Sequence, residues 1–356
     1  MLSPMRPLLA FAALFALAAA CAGDAASPAP EAVAPTIAPP AATGTPDGVV
    51  TIAAVGDLML DRDIETLMEQ HGAPYPFERV AGLLRDADLT IANLELAFTD
   101  RGVASDKLYT FRVAPRYAGG LAEAGIDVVS LGNNHTADFG PEGVADTIAA
   151  LDHAGIGHAG AGPDVASSRR PAFVDVDGLR VAFLSYTDVM ENTFAGPASA
   201  GVALATSDVI DADVRAARAQ ADVVVVSLHS GVEYTDAPQP EQQRLARAAI
   251  DAGALLVLGH HPHALQGWEY YGDGLIAYSL GNFVFDLDRD DLANLGRRAF
   301  DTVVLYVTLR TGEVLEVRAE PVTIDPGENR PRPATEQEAV AILARLDELN
   351  AIAGGP

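Results

Sequence analysis

From residue 49 onward, short apolar runs alternate with longer amphipathic stretches. Runs of four to eight apolar residues read as buried strands, and apolar positions three or four apart read as helices packed on a core. On that basis strands are predicted at Val49–Val55, Leu89–Asn93 and Ile126–Leu131, and then near 156–160, 172–176 and 180–186. Further strands follow at Val223–Leu228, 255–258, 275–280, 302–309 and 314–322. Helices are predicted at 63–71, 77–85, 116–124, 141–154, 208–220 and 240–252. Pro141 stands in the first turn of its helix, where its missing N–H costs nothing. Asp177-Gly178 and Thr311-Gly312 are hairpin turns. Thr335 and Glu338 form a capping box that opens a last helix, with Ala339, Ile342, Leu343 and Leu346 on one face. Strands alternating with helices predict a largely parallel α/β sheet, to which the hairpins add antiparallel strands.

The same pattern divides the chain. Residues 1–21 combine Arg6, an apolar stretch from Leu8 to Ala20 and small residues ahead of Cys21, which predicts a lipoprotein-type signal peptide ending at that cysteine. Cys21 is then the lipidation site, and acyl chains there would hold the protein on a membrane surface outside the cytoplasm. As the single cysteine of the chain, it excludes an intrachain disulfide. Residues 22–47 are rich in Ala, Pro and Thr and read as an extended tether. The folded domain is expected over 48–325, with a linker and helix over 326–356.

Composition narrows the partners. The chain has 356 residues and a net charge of −26, from 49 acidic against 23 basic side chains. So acidic a surface excludes nucleic acid as a partner, because a phosphate backbone needs a basic footprint. An anionic substrate would need positive charge supplied locally by a metal or by arginine. Lys107, the single lysine, reads as compositional bias.

Six predicted strands end in polar residues that a plain turn does not need. Gly56, Asp57 and Met59 follow the first, with Arg62 further on; Asn93 and Glu95 follow the second. Asn133, Asn134 and His135 follow the third, then Asp138. His229 and Glu233, then His260, His261 and His263, then Asn282 and Asp286 follow the later ones. Three of the eight histidines fall within four positions. Strand ends on one sheet edge are where α/β proteins bind ligands. Carboxylate, amide and imidazole together suit a divalent ion such as Mn, Fe or Zn.

These motifs resemble those of the bacterial capsule-synthesis CapA-type family, whose domain is similar to calcineurin-like metallophosphoesterases. The stretches that carry the likeness are Gly56-Asp57-Leu58-Met59, Asn93-Leu94-Glu95, Phe111-Arg112, Gly132-Asn133-Asn134-His135, His229-Ser230-Gly231-Val232-Glu233, His261-Pro262-His263 and Ser279-Leu280-Gly281-Asn282-Phe283. The resemblance implies an α-β-β-α sandwich of mixed sheets flanked by helices. It implies metal ligands Asp57, Glu95, Asn134, His229, His261 and His263, with His135 protonating a leaving oxygen. It makes His260 a loop or supporting residue. Met59 stands where the phosphoesterase pattern has histidine, and a thioether is a poor ligand for a hard ion, so one firm metal position and a weaker second are expected. Arg62 and Arg112 are candidates to bind a carboxylate or phosphate at the catalytic site. Glu233 and Asp286 are candidates to orient the histidines; Trp268, Tyr270 and Tyr271 either wall the site or pack. The implied function is synthesis, export or anchoring of a poly-γ-glutamate-like polymer, alongside other capsule-synthesis membrane proteins. The alternatives are a metal-dependent phosphoesterase and a non-catalytic binding module. The expected partners are an anionic polymer or phosphate-containing substrate and a membrane.

Overall fold

The computed structural model describes residues 48–189 and 194–354. The predicted signal segment, Cys21 and the tether lie outside the described residues.

Two stacked sheets hold most of the described strands, beside two short two-stranded pairs, Ala97–Phe98 with Arg112–Val113 and Ala161–Gly162 with Gly201–Val202. The first runs in the order Arg330–Pro333, Glu313–Asp325, Asp301–Arg310, Val49–Leu58, Leu89–Leu94, Val128–Ser130, Gly157–Ala159, and Asn282–Val284 also pairs with Val49–Leu58. The second runs Trp268–Tyr271, Gly274–Ala277, Leu256–His260, Val223–His229, Leu179–Thr187, Ala172–Val176. The first is antiparallel from Arg330–Pro333 to Val49–Leu58 and parallel from there to Gly157–Ala159, and the second has a parallel centre with an antiparallel strand at each margin.

Three apolar layers hold the stack together. Between the sheets, Ile52, Ile91, Phe183, Val225, Leu258 and Leu305 interleave. Outside the first sheet, Ile64, Met68, Leu121, Val144 and Leu151 bring helices Asp63–His71, Gly119–Ala124 and Gly140–Ala154 onto Ala53, Val55 and Ala92. Outside the second, Ile210, Val214, Leu245 and Ala249 seat helices Ser207–Arg218 and Pro240–Ala252. The expected α-β-β-α sandwich is therefore the observed one. The last helix, Glu336–Ala353, buries Ile342, Leu346 and Leu349 in the layer between the sheets.

Local departures from the pattern have local causes. The predicted helix 77–85 is a 3-10 turn, Tyr75–Phe77, followed by one short helical turn, Ala81–Leu84. The predicted strand 275–280 stops at Ala277 because the chain leaves the second sheet there, and Asn282–Val284 enters the first sheet beside Asp57. This crossing brings two backbones together: a Cβ on Gly56 would stand 1.9 Å from the Gly281 carbonyl oxygen. Gly259 meets the Tyr278 carbonyl just as closely. Only glycine lets the strand ends approach this near. The Asp57 N–H, in turn, donates to the Gly281 carbonyl at 2.9 Å, which fixes where its carboxylate starts from.

Candidate metal centre

The ends of parallel strands from both sheets meet in one place. Asp57 comes from the first sheet, Glu95 from just past the end of one of its strands, and His229 from the second; their ligand atoms lie within 4.8 Å of one another and all three are buried. Glu233, His261 and His263 make a second such group. Around one Glu95 oxygen stand Nε2 of His263 at 3.7 Å, of His229 at 3.8 Å and of His135 at 3.9 Å. These are too long for hydrogen bonds. They are shorter than about 4.2 Å, the sum of two bonds of roughly 2.1 Å to a divalent ion. Both Glu95 oxygens, Asp57 Oδ2, both ring nitrogens of His260 and Nδ1 of His261 are buried without a hydrogen-bond partner. Such atoms carry a desolvation cost unless something binds them. A divalent ion fits this set.

Charge follows from burial. Burial alone would raise the Asp57 carboxyl, but contacts from His260 and His263 overcome it and hold the group well below the usual carboxylate range. Glu95 has no such donors, so burial, helped by Asp57, Glu233 and Asp138, pushes it well up against the pull of His263. Burial and the neighbouring His263 push His261 down to about 3. His263 goes the other way, to about 10, because Glu95 and Asp57 outweigh its desolvation. The ionised Asp57 thus favours the charged form of His263, whereas burial disfavours that of Glu95.

An outer layer of amides orients these groups. Asn93 donates to Asp57 Oδ1 at 2.9 Å and lies 3.3 Å from Nδ1 of His229. Asn133 donates in turn to the Asn93 oxygen. Nδ1 of His263 meets Asn282 Oδ1 at 2.9 Å, which leaves Nε2 facing Glu95. Asn134 stands inside this layer, on the ligand side: its Oδ1 lies 2.7 Å from Nε2 of His229, the nitrogen that faces Glu95. Fixing a ring through its second nitrogen is the usual support of a metal-binding histidine.

The comparisons with known proteins agree with this arrangement of motifs. Residues 51–287 match the family model described as bacterial capsule synthesis protein PGA_cap. The chain belongs to this family. It is similar to the capsule biosynthesis protein CapA of Bacillus anthracis, with 33% identity over 291 residues, 79% of this chain and 69% of that protein. The PGA biosynthesis protein CapA of Bacillus subtilis (strain 168) is 34% identical over 244 residues, covering 67% of this chain and 64% of that one. Among solved structures, a 5'-nucleotidase precursor from Thermus thermophilus aligns with a TM-score of 0.46 and 15% identity, over 85% of this chain and 59% of that one. Likeness of that degree decides nothing about this chain's activity.

Other residues of this PGA_cap domain fall beside the centre or away from it. His135 gives Nδ1 to Asp138 at 2.7 Å and turns Nε2 toward Glu95; burial lowers its pKa against the pull of Asp138. Arg62 lies over the rings of Tyr109 and Phe111, at 5.5 and 5.0 Å, and Phe111 packs 4.2 Å from His135. Arg112 lies over Phe139. The Asp61 carboxylate accepts the N–H of both arginines, tying the two positions together. Neither guanidinium has a carboxylate partner among the described residues, although most arginines of this acidic chain do. Asp286 orients no histidine of the cluster: it accepts from Asn329, and burial with Asp63 nearby raises it to about 6. Trp268 packs against the layer between the sheets and Tyr271 lies under Arg247. Met59 is buried in the apolar layer with Leu58, Leu60 and Ile64, so its sulfur takes part in packing.

Lys107 is the residue that reading the sequence missed. Its side chain is only 7% exposed and is paired with the fully buried Asp138. It also donates to the Asn134 carbonyl. Asp138 thus links Lys107, His135 and the Phe111 N–H. A lone lysine in a chain that otherwise uses arginine was the available signal.

Proposed function

We propose that this chain is a lipid-anchored extracytoplasmic protein acting in the synthesis, export or anchoring of a poly-γ-glutamate-like polymer. It would do so through a centre for one firm divalent ion (Mn, Fe or Zn) and a weaker second. The carrying observation is the convergence of Asp57, Glu95, His229, His261 and His263, with buried donor atoms left unpaired, beside two arginines that have no carboxylate partner among the described residues. The relatives named for capsule and PGA biosynthesis support the polymer as substrate class. Asp57, Glu95, Asn134, His229, His261 and His263 would hold the ion, which supplies Lewis acidity and positive charge. Arg62 and Arg112 bring further positive charge to a chain of −26, and guanidinium suits bidentate binding of carboxylates. Other capsule-synthesis membrane proteins are the expected partners, and the membrane contact runs through Cys21. Binding of labelled poly-γ-glutamate to protein reloaded with Mn or Zn tests this reading. Binding should weaken in Asp57→Ala and fall with salt; equal binding by chelated protein and by both arginine-to-alanine variants refutes it.

A second reading, hydrolysis of phosphate esters or of the polymer itself, is favoured by His135. Asp138 holds Nδ1, so Nε2 faces the centre as a proton donor to a leaving group would. Activity on a panel of phosphate esters that ignores chelator, or survives His135→Ala, would remove that reading.

A further inference from the structure

The family pattern sets His260 aside in favour of His261 and His263, but its surroundings do not suit a supporting loop residue. The strand Leu256–His260 extends to include it, in parallel register with His229 on the neighbouring strand. Paired residues on parallel strands point to the same face, so His260 stands beside His229. Its side chain is almost wholly enclosed, and Nδ1 lies 3.3 Å from Asp57 Oδ1. On the same carboxylate, Asp57 Oδ2 lies 3.2 Å from His263 Nδ1. Yet neither His260 nitrogen makes a hydrogen bond of acceptable geometry. A merely supporting histidine would give one nitrogen to a carbonyl or carboxylate, as His135 does to Asp138. The unpaired buried atoms of this region are those of Asp57, Glu95, His260 and His261, with two serine hydroxyls besides. Among the described residues His260 is grouped by this property with the carboxylates of the centre. Meanwhile the side chain of Met59, two residues past Asp57, is committed to the apolar layer.

We propose that His260 is a metal ligand of this centre, at the position it shares with Asp57, and supplies the imidazole that Met59 does not. Three histidines of one short segment then serve the centre: His260 from the strand itself, and His261 and His263 from the turn after it. Both of the latter have positive φ, 94° and 53°. That backbone conformation is uncommon for residues other than glycine, and the ligand atoms of both rings lie within 4.8 Å of each other. The weaker position would then have a nitrogen-rich ligand set, which favours Zn or Fe over Mg or Ca.

This inference rests on the centre binding metal, and the experiment separates the two. The full-length protein is stripped, reloaded with Zn2+ or Co2+, and compared with His260→Gln and with Met59→Leu. Bound metal is counted by elemental analysis and affinity is read by chelator competition. The number of imidazole nitrogens per ion is read from zinc-edge X-ray absorption. His260→Gln should lose one equivalent, or hold it more weakly, with fewer imidazoles per ion; Met59→Leu should match the parent in both. Unchanged stoichiometry together with unchanged affinity in folded His260→Gln overturns the inference. So does weaker binding with the imidazole number intact at saturation, which would make His260 only a support for Asp57. If His260→Gln does not fold, anomalous scattering from crystals of the zinc-loaded parent decides. An ion about 2.0–2.1 Å from a His260 nitrogen upholds the assignment, and one bound elsewhere refutes it. A parent protein that takes up no metal overturns the metal reading and this inference together.

Discussion

At the scale of single residues, the centre brings together groups whose charges are set by what else is buried with them. Asp57 and Glu95 are both fully enclosed, yet they shift in opposite directions because imidazoles contact Asp57 closely and stand back from Glu95. Glu95→Gln should therefore abolish high-affinity metal binding while the metal-free protein folds at least as well as the parent, since a costly buried carboxylate has gone. Elemental analysis and thermal melts with and without chelator check both halves. Asp286 gives a pH prediction away from the centre. Its folded pKa, about 6, lies above its ordinary value of 3.8. Whatever stability it contributes is present below about pH 4 and is lost as pH rises through 6. Asp286→Asn should thus raise the melting temperature at pH 7.5 and leave it little changed at pH 4; the reverse order would contradict the assignment. The sequence made Asp57, Glu95, Asn134, His229, His261 and His263 visible because each follows an apolar strand. Lys107 and His260 were not legible as site residues. Lys107 lies in a loop with no periodic pattern, and its role depends on Asp138, thirty-one positions later. His260 needed the strand's true end to show which way it points.

At the scale of elements, the site depends on how strands end. The crossing from Gly274–Ala277 to Asn282–Val284 presses the Gly281 backbone onto Gly56. Gly56→Ala would put a methyl group where a carbonyl stands, with no flexible side chain to give way, so it should destabilise the domain by several kcal/mol, roughly 2–4, and cost metal binding with it. Denaturant unfolding and metal content, measured together, report on this. The loop over 99–111 is a second such element. It is stapled to the turn that carries His135 by Ser105, Lys107 and the Phe111 N–H, all of which bond to Asp138. Breaking a buried ion pair by removing one partner costs about 3–5 kcal/mol. Lys107→Met should fall in that range, and Lys107→Arg should recover part of the loss. As the single lysine, Lys107 also makes the loop readable by amine acylation: labelling should be slow in the folded protein and rapid after unfolding.

At the scale of the whole molecule, two sheets that each lack a complete site make one between them. Asp57 and Asn93 belong to the first, with Glu95 just past the end of its strand, and His229 and His260 to the second. An ion bound by both couples their packing, so metal should stabilise the fold by mass action, by about 2.7 kcal/mol at a free concentration one hundred times Kd. A chelator should lower the melting temperature accordingly, and a melt indifferent to metal would argue that the two sheets are not bridged. The net charge of −26 sets the wider field, against which Arg62 and Arg112 supply local positive charge. Among the described residues no helix is long and apolar enough to cross a membrane. What the sequence determined by itself was the order of strands and helices, the polar strand ends and the family. These are local, because apolar periodicity and short motifs are written in neighbouring residues. Only the tertiary structure decided which strands pair in each sheet, that Met59 turns into the core while His260 turns to Asp57, and that Lys107 stands behind His135. Those outcomes depend on register and on contacts between distant segments, where a shift of one residue reverses the face a side chain presents.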